Sequence, residues 1–212
     1  MANVTRRALL GLAPVAGAVL AHGDHAGEGS SEKKSNTNQW KTVSARELIR
    51  ERHFPNLPLQ AHDGRTVRFY DDLLKGKIVL INFMYLGCSD GTCPLTTAAL
   101  RRVQELLGER AGRDVFIYSI TLNPEYDTPE ALAAYAKSFD VGPGWLFLTG
   151  APRDIERLRR SLGFYERDPV EDANKSTHVA MVRYGNEPRK LWAMTSALVS
   201  PEVMVKSLKW IE

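Results

Sequence analysis

The chain has 212 residues, 43% hydrophobic and 25% charged, at a mean hydropathy of −0.28. That suits one folded domain with appendages and excludes both a membrane bundle and a disordered polymer. Its formal charge of +3 comes from Lys and Arg scattered among Asp and Glu, so the basic stripe that nucleic-acid binding requires is missing.

The first 21 residues differ in kind from the rest. Arg6-Arg7 precedes an apolar run ending at Val19-Leu20-Ala21, and no acidic residue comes before Asp24. A basic start, a short apolar stretch and small residues at its end describe an export signal, of twin-arginine type given the paired arginines. The run is about 14 residues and contains Pro14, short of the roughly 20 that a helical membrane span needs, so no permanent span is expected. The expected destination is the periplasm or another exported location, with membrane association if the leader stays uncleaved. Residues 22–39 are small, polar and charged with no hydrophobic period, and read as a flexible tether. His22 and His25 within it are read as solvated rather than as metal ligands. The folded domain is expected over residues 40–212.

Ser44 and Glu47 form a capping box that predicts a short helix to about Glu51. Leu57–Gln60 and Arg65–Phe69 flank Asp63-Gly64 and predict a hairpin. Ile78–Met84 is nearly all apolar, as a strand buried on both faces must be. Pro94 is expected to start a helix that carries Leu95, Ala99, Val103 and Leu107 at helical spacing. Val115–Thr121 reads as a second buried strand. Thr128-Pro129-Glu130 opens a helix to about Phe139, and Trp145–Leu148 is a short strand. Ile155, Leu158 and Leu162 lie on a helix ended by Gly163. Val179–Tyr184 and Leu191–Met194 are expected to pair around a turn at Gly185-Asn186. Ser200-Pro201-Glu202 begins a closing helix. Alternation of strand and helix, then a terminal hairpin, predicts an α/β fold: a mixed central sheet with helices on both faces and an N-terminal hairpin extension.

Both cysteines of the chain, Cys88 and Cys93, fall in Gly87-Cys-Ser-Asp-Gly-Thr-Cys-Pro94, between the first buried strand and a helix N-terminus. Free N–H groups and the helix dipole stabilise a thiolate there. Two sulfurs this close in sequence serve a soft metal ion, dithiol exchange or a structural disulfide. A disulfide closing so short a loop gains little, because the entropy it removes grows with loop length.

Further pieces carry a resemblance: Lys77–Tyr85, Cys93-Pro94-Leu95, Tyr118–Pro124 with Asp127-Thr128, Leu146–Gly150, and Lys175-Ser-Thr-His178 before an apolar strand. Together they make residues 52–212 similar to the Sco/SenC family of thioredoxin-fold, copper-binding proteins that assist assembly of the copper centre of cytochrome c oxidase. The resemblance implies a thioredoxin-like fold and copper, as Cu(I) or Cu(II), held by Cys88, Cys93 and His178. It also implies an apo copper-acceptor protein, an oxidase subunit, as partner. Thiolates suit Cu(I), and an added imidazole also suits Cu(II). The chain departs from the family pattern in three places. Its cysteines are separated by four residues where three are usual, Asn123 stands where an acid is common, and Thr177 stands where Asp is common.

Three other readings compete. An exported thiol–disulfide reductase would use Cys88 and Cys93 directly, yet such proteins resemble one another in a two-residue spacer and a proline where Thr177-His178 stands here. A peroxiredoxin-like peroxidase resembles the fold but has Pro and Thr shortly before its cysteine, and Phe83–Gly87 supplies neither. A non-catalytic binding domain would keep Cys88 and Cys93 as a structural bond. Trp145, Trp192 and Phe164 are read as packing residues, His53 and His62 as surface residues, and Arg157–Arg160 as a solvated helix face.

Overall fold

The computed structural model describes residues 43–174 and 180–212. The expected export signal, the tether, His178 and Val179 lie outside the described residues. Ser44 caps the first helix, α1 (Ala45–His53), through the reciprocal capping box with Glu47. The hairpin β1 (Pro58–Ala61) and β2 (Thr66–Arg68) follows, then a π-helical turn over Phe69–Leu74 that the sequence reading did not anticipate. Strand β3 (Ile78–Met84), helix α2 (Thr92–Leu107), strand β4 (Val115–Thr121), helix α3 (Pro129–Ser138), strand β5 (Trp145–Thr149) and helix α4 (Pro152–Ser161) alternate as expected. A short helix α5 (Pro169–Ala173), capped by Asp168, was not anticipated either. Strands β6 (Met181–Asn186) and β7 (Leu191–Ser196) and helix α6 (Pro201–Leu208) close the chain.

The sheet has seven strands in the order β2-β1-β5-β4-β3-β6-β7. β3, β4 and β5 run parallel at its centre, and the flanking pairs are antiparallel. The N-terminal hairpin extends the sheet beyond β5, and the C-terminal hairpin extends it beyond β3. Alternate residues of the central strands serve two cores, as the two-residue period of a strand requires. Val79, Ile81, Phe83 and Ile120 pack toward the π-turn and α4, while Leu80, Met84, Ile117 and Phe147 pack toward α2, α3 and α6. Each such buried side chain contributes roughly 1.5–3 kcal/mol by transfer from water. Helices therefore cover both faces, as expected.

Three local readings are corrected. Gly185-Asn186 is not the turn of the last hairpin but the end of β6, and Glu187–Lys190 makes the turn. The reason is steric: Gly185 pairs with Trp192, and a Cβ at 185 would lie 2.1 Å from the indole. The glycine is there for the ring and not for the bend. His62 is half-buried, accepts the Phe147 N–H on Nδ1 at 3.1 Å and meets the Phe147 ring edge-on. Arg159 is no solvated charge either. Its guanidinium pairs with Asp172 at 2.6 and 2.7 Å and with Glu156 at 2.9 Å, fastening α5 and the preceding loop to α4. Trp145 is buried, and Trp192 and Phe164 are half-buried, as packing residues should be.

Candidate metal centre

The carboxyl ends of β3 and β4 stop together, with the Leu122 N–H on the Met84 carbonyl at 2.7 Å. The chain leaving β3 must then turn into α2 within Tyr85–Gly91. Gly91 does this in the left-handed region at φ +76°, which a side chain would resist. Helix α2 consequently begins at Thr92, two residues before the expected Pro94, and Cys93 lies in its first turn.

The first N–H groups of a helix have no partner within it. Here the cysteine loop supplies partners. The Asp90 carboxylate accepts the Thr92 N–H at 2.9 Å, and the Cys88 sulfur accepts the Cys93 N–H at 3.2 Å. The Cys88 thiol in turn donates to Asp90 Oδ1 at 2.9 Å. The four-residue spacer thus closes into a compact loop in which one cysteine sulfur faces the backbone of the other. The two sulfurs are not joined in a disulfide. Cys93 is 1% exposed, packed in the core that contains Met84 and Leu100, whereas Cys88 is half-exposed at its edge. Burial, with the hydrogen bond to Cys88 second, pushes the Cys93 thiol well above its ordinary range. The Tyr85 ring lies near Gly87, and burial followed by the neighbouring cysteines raises its phenol.

Behind this loop stands Asp127, 2% exposed, from the segment between β4 and α3. Its Oδ2 accepts the Leu86 N–H at 3.2 Å and the Thr121 hydroxyl, so one carboxylate ties the cysteine loop to the end of β4. Asp127-Thr128 stands in the sequence only as part of the resemblance, because the contact that gives Asp127 its role spans 41 residues. The contact between Asp90 and Cys88 has no signal in the sequence.

The structure brings Cys88 and Cys93 together, and His178 lies outside the described residues. Among the described residues no three of His, Cys, Asp and Glu form a group suited to a metal ion. Ala180, two positions beyond His178 in the chain, sits at the same end of the sheet, where its carbonyl accepts the Ala197 N–H at 2.8 Å.

A mixed sheet with a dithiol at the junction of a central strand and a helix defines a thioredoxin-like protein. The SCO1/SenC family model matches residues 51–211, and the chain belongs to that family. A protein of Stutzerimonas stutzeri named for copper binding is 32% identical over 116 residues, 55% of this chain and 54% of the relative. The chain spans about half the length of the first curated relatives it matches, or less. Among solved structures, copper-bound ScoI of Bradyrhizobium japonicum is 29% identical with a TM-score of 0.59, covering 73% of this chain and 96% of that one. A structure of BsSco, described as a member of the Sco family of cytochrome c oxidase assembly proteins with a disulfide switch, is 25% identical with a TM-score of 0.58. It covers 73% of this chain and 90% of its own.

Proposed function

We propose that this protein is an exported copper carrier that binds one copper ion through Cys88, Cys93 and His178. It passes the ion by ligand exchange to an apo acceptor, a subunit of a respiratory oxidase. The single observation that carries the reading is the folding of the only two cysteines against each other, Cys93 N–H on Cys88 Sγ at 3.2 Å, in a chain of this family. A buried sulfur and a half-exposed one divide the work. Cys93 anchors the ion against the core, and Cys88 is the ligand that an acceptor's thiolate reaches first. Two thiolates hold Cu(I), and His178 adds the imidazole that suits Cu(II). Asp127 keeps the loop from drifting when the ion leaves. The copper-bound relative and the copper-binding name of another support the choice of metal.

Anaerobic copper titration of the reduced protein tests this. Tight binding of one equivalent that disappears in Cys88→Ala and in Cys93→Ala is the expected result, and absence of binding by the reduced parent sinks the reading. A second reading, a thiol–disulfide reductase, is favoured by the same asymmetry. Half-exposed Cys88 would attack a partner disulfide, and buried Cys93, its thiol pushed up, would resolve the mixed disulfide. Reduction of a peptide disulfide at rates unaffected by His178→Ala, without copper binding, would establish that alternative.

A further inference from the structure

The sheet edge that carries the cysteine loop also collects the loops after β4 and β7 and the segment around α5. Their placement is fixed by the Leu122–Met84 and Ala197–Ala180 hydrogen bonds and by a cavity of about 220 Å³ bordered by Phe83, Leu122, Phe164 and Ala173. Large apolar side chains stand in solvent here: Leu95 at 64%, Tyr126 at 73%, Leu198 at 68% and Val170 at 78% exposure. Isolated exposed apolar residues need no explanation, but several around one reactive loop do.

Around them the charge is one-sided. Among the described residues, exposed Asp90, Glu125, Glu130, Asp168, Glu171 and Glu202 lie at this edge against exposed Arg153, Arg160 and Arg167. The described part of this edge is therefore negative in a chain whose formal charge is +3. The turns at the opposite edge carry both signs, with exposed Lys75, Arg113, Arg189 and Lys190 beside exposed Asp63, Glu109 and Asp140.

We infer that this edge is a docking face for a protein whose contact surface is basic around an apolar centre. The inference rests on the reading of the cysteine loop as the transfer site and names the chemistry of the partner that reaches it. Apolar and aromatic side chains supply the desolvated middle of an interface, and the surrounding acids steer a complementary surface and reject an acidic one. Anionic lipid is rejected by the same charge.

The test uses the full chain without copper and two fluorescein-labelled, cysteine-free peptides, one alternating Lys with Trp and Leu and the other alternating Glu with the same residues. Anisotropy at low salt should show the lysine peptide binding about tenfold more tightly, with the difference shrinking in high salt. The triple variant Glu125→Lys/Glu171→Lys/Glu202→Lys should lose that preference, Leu95→Ser/Leu198→Ser should weaken the lysine peptide, and Arg189→Glu should change nothing. Equal affinities, a preference that survives the triple variant, or binding to phosphatidylglycerol vesicles through this edge would overturn the inference. Because neither thiol nor metal takes part, failure here is separate from failure of the copper titration.

Discussion

Asp127, Gly185 and His62 each act on backbone or rings that belong to another part of the chain. Removing the Asp127 carboxylate leaves the part-buried Leu86 N–H and the buried Thr121 hydroxyl without their acceptor. Asp127→Ala is expected to cost about 1–3 kcal/mol in urea unfolding. It should also broaden the Cu(II)–thiolate absorption, whereas Asp127→Asn, which keeps an acceptor oxygen, should do less. At Gly185 an added methyl meets Trp192 at 2.1 Å, so Gly185→Ala should destabilise by about 1–3 kcal/mol, and a second change, Trp192→Ala, should recover part of the loss. Burial holds His62 below the ordinary histidine pKa, with Asp63 opposing. Its folded value lies below its unfolded one, so its contribution is complete above the unfolded pKa of about 6.5 and is lost as pH falls through the folded value. The urea midpoint should therefore drop on acidification below about pH 6.5, less steeply in His62→Asn, which keeps an acceptor without titrating in that range.

At the scale of elements, the strands were legible because burial on both faces leaves a continuous apolar run, as in Ile78–Met84 and Val115–Thr121. Helix starts with a side-chain cap, at Ser44, Thr128 and Ser200, were legible for the same local reason. The start of α2 was not, because its N-cap is Gly91 and its first N–H groups are satisfied by Asp90 and by a cysteine sulfur. No sequence rule points to a sulfur. Helix α5 also escaped although Asp168 caps it, because its five residues show no helical apolar period and a long-range ion pair holds it in place. The Asp172 side chain is 4% exposed and that of Arg159 is 13% exposed, and the guanidinium keeps the Asp172 carboxyl well below the usual carboxylate range. Asp172→Ala would leave Arg159 paired with Glu156 alone and should cost about 1–3 kcal/mol. Limited proteolysis should then cut first within 163–174, while the double change Arg159→Met/Asp172→Ala should be milder.

For the whole molecule, the sheet gathers the cysteine loop, the Asp127 tether and the acidic, apolar-studded rim at one edge. The two cysteines were legible because the chain has no others and because they sit at a strand-to-helix junction. The long-range partners, Asp127 above all, were not, since burial of an acid depends on which loops the sheet order brings together. The measurement that bears most directly on the proposed ligand set is a pair of competition titrations, Cu(I) and Cu(II), on the protein and its His178→Ala variant. The account predicts that the variant keeps Cu(I) on its two thiolates and loses affinity for Cu(II) by about tenfold or more. Equal loss for both oxidation states, or none for either, would contradict it.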